Sequence, residues 1–167
     1  KIFTVCLKIK MSANDTINLL LSDLEENVTS QLNDKAISCI NSISSQVKIN
    51  YIEANQPFNR YNNTEILALF VNIYKRIIPL TSVSKSRSIN NSLNSFLNHW
   101  NGLISSLSPF VFIKLCEQLN TDGLTKRLHS FILPVTRAIA TVDNNSVYNP
   151  MIIKMLKEVS MDFISTL

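Results

Sequence analysis

Apolar positions along this chain recur every three or four residues, with polar residues between them. Ile17, Leu20, Leu21, Leu24 and Val28 fall on one stripe of a helix, with acidic residues opposite. Asn14 or Asp15 is the expected cap of that helix, accepting a bond from an otherwise unpaired backbone N–H. Ile37, Ile40, Ile43 and Val47 form a second stripe, capped at Asp34 and ending before Pro57. Ile66, Leu69, Phe70, Ile73 and Ile77 form a third, opened by Asn62 and Glu65 in capping-box spacing and closed by Pro79. A polar and basic loop, PLTSVSKSRS, follows.

The fourth helix is expected from about Ser88, with Ile89, Leu93, Phe96, Leu97, Trp100, Ile104 and Leu107 in register. Ser108-Pro109 then reads as a cap followed by proline at the first helical position, where its missing N–H costs nothing. Phe112, Leu115, Cys116 and Leu119 give the fifth stripe. Gly102 lies just before that corner, where a small residue lets backbones approach. After the NTDGL turn, Leu124, Leu128, Phe131, Ile132, Val135, Ile139 and Val142 give the sixth stripe, which Pro134 is expected to kink or split. Ile152, Met155, Leu156, Val159 and Phe163 give the seventh, after Asn149-Pro150.

The pattern predicts an all-α domain of about seven amphipathic helices in antiparallel pairs over residues 11–167. It is either an α-solenoid segment or a compact helical bundle, and either a whole domain or a piece of a longer solenoid. Residues 1–10 stand apart. Phe3, Val5, Leu7 and Ile9 alternate as in a strand, and Met11 looks like a natural start. An added extension, a strand and an unstructured arm all fit this segment.

Composition narrows the function classes. The chain has only two Gly residues, Gly102 and Gly123, so a glycine-built phosphate loop is excluded. No run reaches the ~18 consecutive apolar residues of a membrane span, so no membrane partner is expected. The three cysteines, Cys6, Cys39 and Cys116, are widely spaced, which points to buried thiols in a cytoplasmic or nuclear setting rather than to disulfides or a metal site.

Charge is uneven although the net is +4. Met11–Asp34 carries Asp15, Asp23, Glu25, Glu26 and Asp34 and no basic residue. Arg60–Arg137 carries nine Lys and Arg against Glu65, Glu117 and Asp122. Within the basic part, Lys75, Arg76, Lys85, Arg87, Lys126 and Arg127 are candidate phosphate contacts to a nucleic acid. Ser82, Ser84, Ser86 and Ser88 surround Lys85 and Arg87, so phosphorylation there would reverse the local charge. Glu25 and Glu26 are candidate contacts to a basic partner, and Phe110 and Ile113, off the fifth stripe, are candidate apolar partner contacts.

Catalytic chemistry has little to work with. His99 and His129 are the only imidazoles, and a Cys116–His129 pair would lack a third, orienting group. No catalytic residue, cofactor, metal or small-molecule substrate is expected.

The helix pairs begin near residues 15, 63, 108 and 149, a spacing close to the ~40–47-residue period of helix-pair repeats. With Asp122 in the NTDGL turn and Lys126 and Arg127 after it, the chain resembles HEAT and armadillo repeats. That resemblance implies a non-enzymatic scaffold that binds a protein partner through a helical surface, within a larger complex. A nucleic-acid-associated scaffold using the basic edge is the alternative. A fainter resemblance, to Bcl-2-type peptide-groove proteins, rests on Asn98, Trp100 and Gly102. In that family an Asn-Trp-Gly element opens a groove-lining helix, whereas here Asn101 separates Trp100 from Gly102.

Overall fold

The computed structural model describes residues 12–53, 63–121, 123–124, 131, 134 and 137–138. Among them the chain is helical and no strand occurs. Helix α1 spans Ala13–Thr29 and buries Ile17, Leu21, Leu24 and Val28, the stripe the sequence predicts. Its cap is Ser12, two or three residues earlier than expected, whose Oγ accepts from the Asp15 backbone N–H at 3.1 Å.

At its other end Gln31 has φ 58°. Leu32 N–H donates to Asn27 O at 2.9 Å and Gln31 N–H to Val28 O at 3.1 Å. This is a Schellman cap, with glutamine at the left-handed position where glycine is usual. Gln31→Gly is therefore expected to stabilise the fold by about 1 kcal/mol, read as a higher urea midpoint at unchanged slope.

Helix α2 (Asn33–Val47) folds back on α1 and continues as a π-helical segment, Lys48–Glu53. Asp34 lies inside its first turn rather than capping it, and Leu32 at the cap makes no side-chain bond. The hairpin buries Ala36, Ile40, Ile43 and Val47 of α2, and Asn27 Nδ2 donates to Cys39 Sγ at 3.6 Å across it.

Helix α3 (Asn63–Ile77) buries its whole predicted stripe together with Tyr74. Pro79 ends it as expected, but a further turn, α4 (Leu80–Val83), forms within the expected loop. The fixed φ of proline suits the start of a helical turn, and Pro79 sits at φ −60°. Thr64–Val83, of mean hydropathy 1.5, is long and apolar enough by composition to cross a membrane, although no unbroken apolar run reaches that length. Here Ile66, Phe70, Ile73 and Ile77 face the protein core.

Helix α5 (Arg87–Leu107) starts at Ser86, whose Oγ accepts from Ile89 N–H at 3.3 Å. It buries every residue of the fourth stripe except Leu107. It also buries Asn101 and Ser105, which no apolar pattern flags. The corner at Ser108 leads straight into α6 (Pro109–Thr121). That helix ends in a second Schellman cap, with Gly123 at φ +72° and Leu124 N–H donating to Leu119 O at 2.9 Å.

Gly102 does not serve the close approach expected of it: a Cβ there would meet nothing within 4 Å. Gly102→Ala is accordingly expected to raise stability by up to about 1 kcal/mol, through helix propensity alone. A thermal melt of the variant checks this.

Contacts between α1 and α3 run in the same direction along both helices: Asn72 bonds Asn18, and one turn on Arg76 bonds Ser22 and Glu25. Thus α1 and α2 form a hairpin, α3 lies parallel on α1, and α5 lies beside α2. Helix α6 packs on both α3 and α5. Between them sit Phe70, Tyr74, Phe96, Trp100, Phe112 and Phe131. Through Thr121 the described residues hold five helices of three or more turns and one single turn. The expected sixth and seventh helices lie largely outside the described residues, as do residues 1–10 and Asn62.

Candidate partner-binding surface

Many of the polar groups that could do chemistry are engaged inside the fold. Arg76 is the clearest case. Its Nε donates to Glu25 Oε1 at 3.0 Å and one terminal nitrogen forms an ion pair with the same oxygen. That nitrogen also donates to Ser22 Oγ at 2.9 Å, and the other to Asn18 O at 3.4 Å. Arg76 and Glu25, expected to meet a nucleic acid and a basic partner respectively, are spent on each other and clasp α3 to α1. Asn72 Nδ2 donates to Asn18 Oδ1 at 2.8 Å along the same seam.

A second internal group lies under α5. Trp100 Nε1 donates to Ser44 Oγ at 3.1 Å, tying α5 to α2. Tyr74 Oη donates to Asn101 Oδ1 at 2.7 Å in the buried core. Burial pushes the Tyr74 phenol well above its usual pKa, with the neighbouring Cys116 adding to the effect. Cys116 is itself fully buried; that burial, and then Glu117, push its thiol well up, away from the reactive thiolate. Its proposed partner His129 lies outside the described residues. His99 is exposed and meets only the edge of Trp100, ring centroids 5.2 Å apart. No group of three His, Cys, Asp or Glu that could hold a metal occurs among the described residues.

The sequence pattern could have found Asn101, which sits four residues after Leu97 and three before Ile104, on the apolar stripe itself. A polar residue at such a position signals a buried bond. Nothing in the pattern marks Arg76 as inward-facing, because a cation in the last turn of a helix already suits the dipole.

An open cleft of about 470 Å³ lies between α1, α3 and the π-helical segment, lined by Asn14, Asn18, Tyr51, Glu65, Ala68, Leu69 and Asn72. Burial, and then Glu65, raise the Tyr51 pKa. The Glu65 carboxylate sits in the first turn of α3, where the positive helix end offsets it.

On the outside the expected residues divide. Phe110 is 46% exposed, as a partner contact requires, and Leu107, three residues earlier in the chain, is 37% exposed. Ile113 is 1% exposed and fills the core, because α6 is covered on more than one side by α3 and α5. Glu26, Lys75, Lys85 and Arg87 are exposed. Lys75 lies in the last turn of α3, whereas Lys85 and Arg87 lie on the short stretch that leads into α5. Ser84 is buried and bonded to Ser86, and Ser86 caps α5; only Ser82 and Ser88 of the four serines are exposed. Lys126, Arg127 and Asp122 lie outside the described residues. The Asn98–Gly102 element sits in the second half of α5 rather than at a helix start.

Comparison of the chain with family models, with curated proteins and with solved structures finds no match.

Proposed function

We propose that this chain is a non-enzymatic protein-interaction module that binds its partner through a helical surface. One observation carries the reading: Leu107 and Phe110, on either side of the α5–α6 corner, are both exposed large apolar residues. Large apolar residues exposed only three positions apart can join into the kind of surface patch that marks a protein-interaction site. The parallel stacking of α3 on α1 supports a helix-pair scaffold of the HEAT and armadillo kind, because it leaves whole helix faces outward.

A second reading, binding to nucleic acid, is favoured by the exposure of Lys85 and Arg87 on the segment before α5. It has lost Arg76 to the ion pair with Glu25.

Affinity capture from lysate with the full chain as bait, with and without nuclease, separates the two. The first reading expects a protein partner that survives nuclease and elutes only weakly with added salt. Loss of all partners on nuclease treatment would replace it with the second.

A further inference from the structure

Helix α1 turns one stripe to solvent: Asp15, Leu19, Ser22, Asp23 and Glu26 are all exposed, at i, i+4, i+7, i+8 and i+11. Leu19, at 53% exposure, stands in the middle of it. Among the described residues Asp15, Asp23 and Glu26 have no ion-pair partner, and the Arg76 clasp takes Glu25. Helix α1 contains no basic residue.

The segment between α4 and α5 has the opposite character. Ser84 and Ser86 are extended, with ψ 130° and 124°. Their side chains turn inward, Ser84 buried and Ser86 capping α5. The residues alternating with them, Val83, Lys85 and Arg87, are all exposed, Val83 to 56%. Among the described residues Lys85 and Arg87 also lack ion-pair partners.

The two faces match in spacing as well as in charge. Val83 and Arg87 are four residues apart, so Val83, Lys85 and Arg87 span at most about 14 Å. On a helix, Leu19 to Asp23 rises about 6 Å and Leu19 to Glu26 about 10 Å. With Val83 on Leu19, Lys85 reaches Asp23 and Arg87 reaches Glu26 within the freedom of their long side chains.

Helix α4 packs against α1, so both faces lie in the same region of the molecule. A two-fold related copy can therefore offer its basic segment to α1 and receive the other in return. We propose that the chain pairs with a second copy of itself in this way, the Val83–Arg87 segment of each copy lying on the Asp15–Glu26 stripe of the other. The occupant is a second copy because the complementary surface, apolar residue included, is present in this same chain. Exposed ion pairs are individually weak, so the dimer is weak too, with a dissociation constant on the order of 100 µM.

Sedimentation equilibrium of the full chain tests the proposal through a charge swap. One variant carries Asp23→Lys with Glu26→Lys, the other Lys85→Glu with Arg87→Glu. All four residues are exposed and unpaired, so circular dichroism should show both variants folded. The wild type is expected to dimerise, less at high salt. Each variant alone sets like charges together and should associate at least tenfold more weakly. Their equimolar mixture restores opposite charges at both contacts and should recover wild-type association. A wild type that stays monomeric to about 1 mM overturns the proposal and leaves the α1 face to a basic segment of another protein. Variants that dimerise as well as wild type, or a mixture that fails to recover, overturn it equally.

Discussion

Trp100→Ala is expected to lower the unfolding free energy by about 3–5 kcal/mol. The indole is 1% exposed and is packed by the Phe70 ring at 5.5 Å and the Phe96 ring at 6.3 Å between centroids. Truncation leaves a cavity that three helices cannot close, because α2, α3 and α5 are each held by other contacts around it. Trp100 also donates a hydrogen bond to Ser44. A typical bond of that kind contributes about 1 kcal/mol, so packing is the larger share. Ser44→Ala should therefore cost only about 1 kcal/mol. Urea unfolding of both variants decides the matter. Equal losses would mean that the bond, not the ring, holds α5 to α2.

The second large effect is expected at Tyr74 and Asn101. Their 2.7 Å bond is wholly buried, and Asn101 Nδ2 has no hydrogen-bond partner. Tyr74→Phe strips the last partner from a buried amide and should cost about 1–3 kcal/mol. Asn101→Ala leaves the phenol unpaired and should cost a similar amount, eased by removal of the unpaired Nδ2. The double variant removes both halves together, so its loss should fall short of the sum of the single losses by about 1–2 kcal/mol. Strict additivity would show that the two groups do not depend on each other. The pair has a structural meaning: α3 and α5 face each other across large rings, and this bond fixes how the two helices are set at that distance.

These two sites show what apolar periodicity can and cannot convey. The stripe of α5 was legible because Ile89, Leu93, Leu97, Trp100 and Ile104 repeat at the helical period, and a helix of 21 residues has room for the pattern to declare itself. Helix α4 was not legible, since four residues hold barely one turn. Ser12 was missed as the α1 cap because Asn14 and Asp15 are equally good capping residues by type. Only the chain's direction before the helix, extended at Ser12, selects among them.

The surface was less legible than the core. Glu25 and Glu26 are neighbours in sequence, yet one closes an ion pair and the other faces water, a difference of about 100° around the helix. Ile113 and Phe110 looked alike in the sequence, both off the main stripe of α6. Ile113 is buried because α6 has neighbours on two sides, a fact that belongs to the packing of α3 and α5 and not to α6 itself. Gly102 was read as a contact point and proves to have open space, since a small residue permits a close approach without requiring one.

On the proposed function, residues that hold the fold are distinct from those that would meet a partner, and one paired measurement tests that division. Phe110→Asp, prepared as the full chain, is melted by circular dichroism and then used beside wild type as bait after nuclease treatment. The account predicts a melting curve close to wild type and at least a tenfold loss of the recovered protein partner. An unchanged partner yield, or a collapse in stability like that expected of Trp100→Ala, would contradict it.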